Sequence, residues 1–274
     1  MPTPSRPPLV MTFSASDPSG GAGLQADLLT LASLGCHALT VLTGLTIQDT
    51  SGVHAVQAVE ADWVEDQARL LLEEMRVDAF KIGVLGSTEN IVVIAEILAD
   101  YPDVPLVLDP ILASGRGDPF ATEEQCAALC ELLLPRTTIL TPNSIEARHL
   151  AHLLEDREIT DLPACAQTLI THGCEYVLLT GSHENTPEVC NTLYGAQGEI
   201  QSARWPRLPG SYHGSGCTLA SALAAQLAQG IAITKAALAA QRYTWHTLQQ
   251  AFQPGMGQYI PQRMTAFVRS AEET

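Results

Sequence analysis

Lysine is almost missing from this chain of 274 residues: Lys81 and Lys235 are the whole supply, and 14 basic residues face 30 acidic ones, for a formal net charge of −16. A surface so acidic repels nucleic acid and anionic membranes, which excludes both as partners. Long apolar runs are also missing, and nothing approaches the ~18–20 residues of a membrane span. The seven cysteines offer no C-x-x-C pair and no histidine-cysteine cluster at zinc spacing, so neither a structural zinc nor a disulfide framework is expected. Residues 1–8 carry four prolines and one arginine, followed by a mainly apolar stretch of only five residues, Leu9 to Phe13, too short for a secretory signal, and they read as a flexible tail. These absences predict a soluble cytoplasmic protein with reduced, mostly buried thiols. What remains is 46% hydrophobic and 16% charged with 20 glycines, the composition of a packed globule with a site to look for.

Short apolar runs alternate with helical patterns almost to the end, the sign of βαβ units and a mostly parallel sheet. Strands are predicted at 9–14, 36–42, 53–59, 79–84, 106–108, 138–140 and 176–180, with a hairpin at 193–194 and 200–203 near an edge. Helices fill 23–34, 62–75, 88–99, 121–133, 144–153, 161–172, 215–229 and 232–251. No linker or repeat divides the chain, so residues 1–274 are predicted to form one α/β domain, a three-layer αβα sandwich with a mostly parallel central sheet. Ligands in such folds sit beyond the carboxyl ends of the strands, where the unusual loops of this sequence fall.

The first of these loops, residues 14–23, has three glycines in four residues. Gly21-Ala22-Gly23-Leu24-Gln25-Ala26 matches the G-x-G-x-x-A dinucleotide fingerprint in form, but its first glycine lies well past the strand, and a plain glycine-rich turn fits too. The second is His213-Gly214-Ser215-Gly216-Cys217-Thr218, directly before an Ala/Leu-rich helix. Glycines at a helix start leave amides free to converge on an anion, so this is a candidate phosphate cradle; a helix start of small residues is the plainer alternative. With no Gly-Lys-Ser/Thr present it is not a Walker loop, and a phosphate there would depend on amides, a metal and Arg116. Cys217 sits where a helix start lowers a thiol pKa, and His213 either touches a ligand or caps the loop.

Asp109 ends a buried strand, and Asn143-Ser144-Ile145-Glu146 follows another. Such carboxylates suit a hydrated Mg²⁺, although, taken alone, Asn143 as helix cap with Glu146 as its partner is the better account of that motif. Asp27 and Gln48 lie beside the first two strands, and together a carboxylate and an amide suit an aminated heterocycle.

In order and spacing these pieces carry a resemblance. Residues 16–27, Gln48-Asp49-Thr50, Lys81-Ile82-Gly83, Val107-Leu108-Asp109-Pro110, Thr141-Pro142-Asn143 with Glu146, and residues 213–219 together resemble the hydroxymethylpyrimidine/phosphomethylpyrimidine kinases of thiamine biosynthesis, in the ribokinase-like superfamily. The resemblance spans nearly the whole chain. It implies ATP-dependent phosphorylation of 4-amino-5-hydroxymethyl-2-methylpyrimidine and then of its monophosphate, with Mg²⁺, in a homodimer. Asp27 and Gln48 would bind the aminopyrimidine, with Ala15 and Val84 closing around the ring and His213 beside it. Gly214, Ser215, Gly216 and Cys217 would form the anion hole, with Cys217 as catalytic base. Asp109 and Glu146 would manage the metal, and Arg116, Asn143 and Thr180 would lie toward ATP. Gly115, Thr180 and Asn191 stand where the family usually has two lysines and an aspartate. They keep a non-catalytic pyrimidine-binding protein open as an alternative, beside a pyridoxine or pyridoxal kinase on the same fold.

Overall fold

A computed structural model describes residues 6–113 and 120–264. Arg116 and Gly115 lie outside the described residues, as does most of the predicted N-terminal tail.

Nine strands form one sheet: β1 (Leu9–Ser16), β2 (His37–Gln48), β3 (Val53–Ala58), β4 (Ala79–Ile82), β5 (Leu106–Leu108), β6 (Ile139–Leu140), β7 (Tyr176–Thr180), β8 (Glu188–Gly195) and β9 (Gly198–Pro206). Eight α-helices flank it: α1 (Gly23–Ser33), α2 (Ala61–Glu74), α3 (Thr88–Ala99), α4 (Glu123–Ala128), α5 (Ser144–Glu155), α6 (Leu162–Thr171), α7 (Ser215–Ala228) and α8 (Ile233–Gln249). The order β3-β2-β1-β4-β5-β6-β7-β8-β9 is parallel from β2 to β7 and antiparallel at both edges. The chain leaves β1 toward β2 and returns to pair β4 on β1's other side, and this reversal opens a crevice at the carboxyl ends of β1 and β4.

Strand alternation makes the three layers. Met11, Phe13, Phe80, Ile82, Leu108 and Val177 face one side, packed under α2, α3, α5 and α6. Val10, Ala79, Val107, Ile139 and Leu178 face the other, beneath α1, α7 and α8. Helix α7 is buried along most of its length, and its alanines let it lie close to the sheet between α1 and α8.

Where the structure departs from the sequence reading, the local reasons are visible. Strand β2 runs six residues further than predicted because it pairs with β3 as a hairpin, closed by an Asx turn in which Asp49 Oδ1 accepts from Ser51 N and Gly52 N. Helix α4 starts at Glu123, since Thr122 and Gln125 form a capping box. The predicted helix then widens to a π turn over Leu129–Leu133 and tightens to a 3-10 turn at Leu134–Arg136, where Pro135 has no amide to donate. Among the described residues no helix is long and apolar enough to cross a membrane.

Candidate functional site: a cleft at the strand ends

A cleft of about 490 Å³ opens at the reversal point, within the range of small-ligand sites. Its floor is the start of α7. Gly214 caps this helix in the left-handed region, with φ of 77°, so no side chain covers the first turn. The first amides of a helix have no intrahelical acceptor, and here they open into the cleft, which Gly214, Ser215, Gly216 and Cys217 line. Asp109, just past β5, lies beside Gly216, and Glu146, in the first turn of α5, also lines the cleft.

Both carboxyls are pushed up, Asp109 to about 6 and Glu146 to about 7, chiefly by burial. Asp109 adds repulsion at Glu146, while Lys81 pulls Asp109 back down. Asp109 Oδ2 is buried without a hydrogen-bond partner. A buried orphan oxygen beside a second carboxylate is a hard-oxygen donor set, and two carboxylates plus phosphates are what a Mg²⁺ ion uses. The residues fit that ion. Asn143 proves to be a helix cap, its Oδ1 accepting from Ile145 N and Glu146 N while Glu146 Oε2 accepts from Asn143 N at 2.9 Å. Cap and metal roles are compatible, because the cap aims Glu146 along the wall.

Cys217 corrects the expectation of a reactive thiolate. It is 7% exposed, and burial pushes its thiol up to about 12, although Lys81 nearby pulls the other way. At a helix start the dipole favours an anion, but loss of water outweighs it here.

Asp27 is a second correction. Its carboxylate is fully buried and points between sheet and helices, accepting from Thr12 Oγ1 at 2.6 Å, Ser221 Oγ at 2.7 Å and Lys81 Nζ at 2.9 Å. These bonds make it a structural partner of Lys81, and it is not among the residues that line the cleft. Lys81 is likewise fully buried, and breaking such a pair from one side typically costs about 3–5 kcal/mol. Gln48, Ala15 and Val84 do line the cleft, at the end where β1, β2 and β4 finish. Ala15 lies in β1 rather than in a loop, just past a register shift at Ser14. Gln48 Oε1 is buried and unpartnered, an acceptor free for a ligand amine. Thr180 and Asn143 line the other end, bridged to one another, and Asn191 closes that end by accepting from Gly181 N and donating to Gln241.

Sequence reasoning missed the ties that hold these walls. Asp17 is 1% exposed and accepts from Ser19 N, Ser19 Oγ, Ala22 N and His213 Nε2. It thereby folds the first glycine-rich loop onto itself and onto the α7 turn, a closed loop unlike the tight turn of a dinucleotide site. His213 thus holds the loop as well as lining the cleft. Burial alone would raise the Asp17 carboxyl, but the bonds from His213 and Ser19 hold it well below the usual carboxylate range. A depressed acid stabilises the fold above its unfolded value near 4, and that stabilisation fades as pH falls. Asp17→Asn is therefore expected to lower stability by roughly 1–3 kcal/mol at pH 7, with the gap to wild type narrowing from about pH 5 down to 3, as urea unfolding at a series of pH values will read. Asn90 Nδ2 pins the loop that carries Val84, donating to the carbonyls of Thr43, Val59 and Leu85. Arg207, at the far rim, is spent on the carbonyls of Ser182, Glu184 and Thr186.

Residues 17–262 match the phosphomethylpyrimidine kinase family. A hydroxymethylpyrimidine/phosphomethylpyrimidine kinase of Streptomyces coelicolor is 38% identical over 255 residues, 93% of each chain. Among solved structures, a phosphomethylpyrimidine kinase from Clostridium difficile superposes with a TM-score of 0.74 at 32% identity, covering 86% of this chain and 97% of its own. A pyridoxal kinase from Staphylococcus aureus, in complex with AMP-PCP and pyridoxal, gives a TM-score of 0.84 at 25% identity and 96% coverage of both chains.

Proposed function

The chain belongs to the phosphomethylpyrimidine kinase family, and from that premise we propose how its cleft carries out the transfer. It is a kinase of the aminopyrimidine alcohol and of its monophosphate, with ATP as donor. The observation that carries the reading is that one cleft holds a bare amide cradle, an acid pair with an orphaned oxygen, and the unpartnered Oε1 of Gln48. The heterocycle lies between Ala15, Val84 and Gln48, whose Oε1 accepts from the exocyclic amine. Its hydroxymethyl group then faces Gly214–Cys217. The triphosphate enters from the Thr180 and Asn143 side, and the migrating group rests on the cradle amides. Asp109 and Glu146 would hold Mg²⁺, which supplies charge neutralisation between phosphates. Phosphoryl transfer passes through a loose transition state, so positioning and electrostatics do most of the work.

The hydroxyl proton departs late in such a transfer and passes to an oxygen of the transferred phosphoryl group, so no thiolate is required and a neutral Cys217 suffices as a donor beside the cradle. Cys217→Ser keeps that donor and is expected to hold kcat within about fivefold of wild type, whereas an obligatory thiolate base would make the loss about 100-fold or more. Steady-state kinetics decides between them.

Measuring ADP release with the hydroxymethylpyrimidine, its monophosphate and pyridoxine tests the substrate reading. Turnover is expected with the first two and weaker turnover with pyridoxine. Tight pyrimidine binding without ADP release would instead make the protein a binder. The same reading has one domain spanning the chain, working in the cytoplasm as a homodimer, which light scattering can check.

A further inference from the structure

Arg263 belongs to no wall of the cleft, yet among the described residues it is one of the most completely buried cations, at 2% exposure. It arrives on a C-terminal strap. Gln258 N donates to Thr50 O, Tyr259 N to Ser211 O and Gln262 N to Thr247 O, while Tyr243 Oη donates to the carbonyl of Arg263 itself. Its guanidinium makes no ion pair among the described residues. Instead Nε donates to Thr218 Oγ1 at 3.0 Å, and Nη2 donates to Gly21 O at 2.5 Å and Gly214 O at 3.3 Å, with Gly20 O near Nη1 at 3.5 Å. Burying a guanidinium against neutral carbonyls is expensive unless the charge is useful where it sits.

The peptide unit explains the use. A trans peptide is planar, and its carbonyl and its amide point in opposite directions. The carbonyl of Gly214 therefore faces Arg263 only if the N–H of Ser215, in the same peptide, faces the cleft. Three donors converge on that carbonyl: Thr218 N at 3.0 Å, Thr218 Oγ1 at 2.7 Å and Arg263 Nη2. Together they fix the plane and draw electron density away from the amide, which sharpens it as a donor.

We propose that Arg263 is a positioning residue for phosphoryl transfer, holding and polarising the Gly214–Ser215 peptide from behind so that Ser215 N–H meets the migrating phosphoryl group. This rests on the reading of the α7 start as the phosphoryl cradle. It assigns the strap a role in kcat, beyond covering the fold.

The test compares wild type with Arg263→Gln, Arg263→Lys and Thr218→Val, reading kcat, both KM values, the affinities for AMP-PCP and AMP, and thermal unfolding. Arg263→Gln is expected to lose roughly 10- to 100-fold in kcat, with Arg263→Lys between it and wild type and Thr218→Val lower by a few-fold. KM for the pyrimidine should stay within about twofold, and affinity for AMP-PCP should fall while that for AMP holds. Folded variants with wild-type kcat, or with kcat kept and both KM values raised, overturn the proposal. If Arg263→Gln does not unfold cooperatively, wild-type kcat in both Arg263→Lys and Thr218→Val overturns it equally. A wild type that releases no ADP with either pyrimidine would instead sink the cradle reading itself.

Discussion

Gly214→Ala is expected to remove about 100- to 1,000-fold of kcat, the loss seen when a preorganised anion donor is displaced. The backbone there sits at φ 77°, where a side chain is strained, and a Cβ would come within 1.9 Å of Gly21 O and 2.8 Å of Arg263 Nη2. Neither neighbour can yield freely. Gly21 O is held by the Arg263 guanidinium, and the space a Gly21 Cβ would need is filled by the His213 ring. The substitution must therefore push the first glycine-rich loop away from the α7 turn or rotate the Gly214–Ser215 peptide, and either movement misaims the cradle. A stability loss of about 1–3 kcal/mol should accompany it, from backbone strain. Gly255→Ala is the control: its Cβ would lie 3.7 Å from Thr50 Oγ1, an ordinary contact, so wild-type ADP release and melting are expected. Turnover in Gly214→Ala near the control would show that the amides at this turn do not bear on the transfer.

The features legible in the sequence were those that depend on neighbours along the chain. Strand β5 at Leu106–Leu108 and β7 at Tyr176–Thr180 appear where the apolar runs placed them, because both are buried on two faces and flanked by breaks. The glycine-rich turn before α7 was readable for the same reason, since bare amides at a helix start are a local property. Pairings across the chain were not readable. The His213–Asp17 bond joins residues 196 apart, and Arg263 reaches Gly21 across 242. Asp27 shows the limit most directly. A carboxylate in the first turns of a helix beside the cleft has the chemistry to bind an amine, but only the three-dimensional register shows that it faces Lys81 on β4. Cys217 failed differently: its position on the helix was read correctly, while its loss of water, which depends on the whole surrounding layer, was not.

Asp109→Asn is expected to abolish most turnover, by about 100- to 1,000-fold, while the ligand-free protein melts at or above the wild-type temperature. The two halves of this prediction share one cause. Asp109 is buried with Oδ2 unpartnered, and its charge repels the buried Glu146 carboxyl. Both folded values lie above the ordinary carboxylate values, Asp109 at about 6 and Glu146 at about 7. A raised acid favours the fold while it is protonated, and that advantage is lost as pH climbs through the folded value, so above pH 7 the empty site carries two disfavoured charges. An uncharged amide of the same shape relieves one of them. A divalent cation bound with nucleotide would relieve both, and the acid pair is destabilising only until its ligand arrives. Glu146→Gln should accordingly need about 10-fold more Mg²⁺ for half-maximal rate, and added Mg²⁺ with AMP-PCP should raise the melting temperature of wild type more than that of either variant. An Asp109→Asn protein that turns over normally, or whose half-maximal Mg²⁺ is unchanged, would mean that the metal sits elsewhere in the cleft.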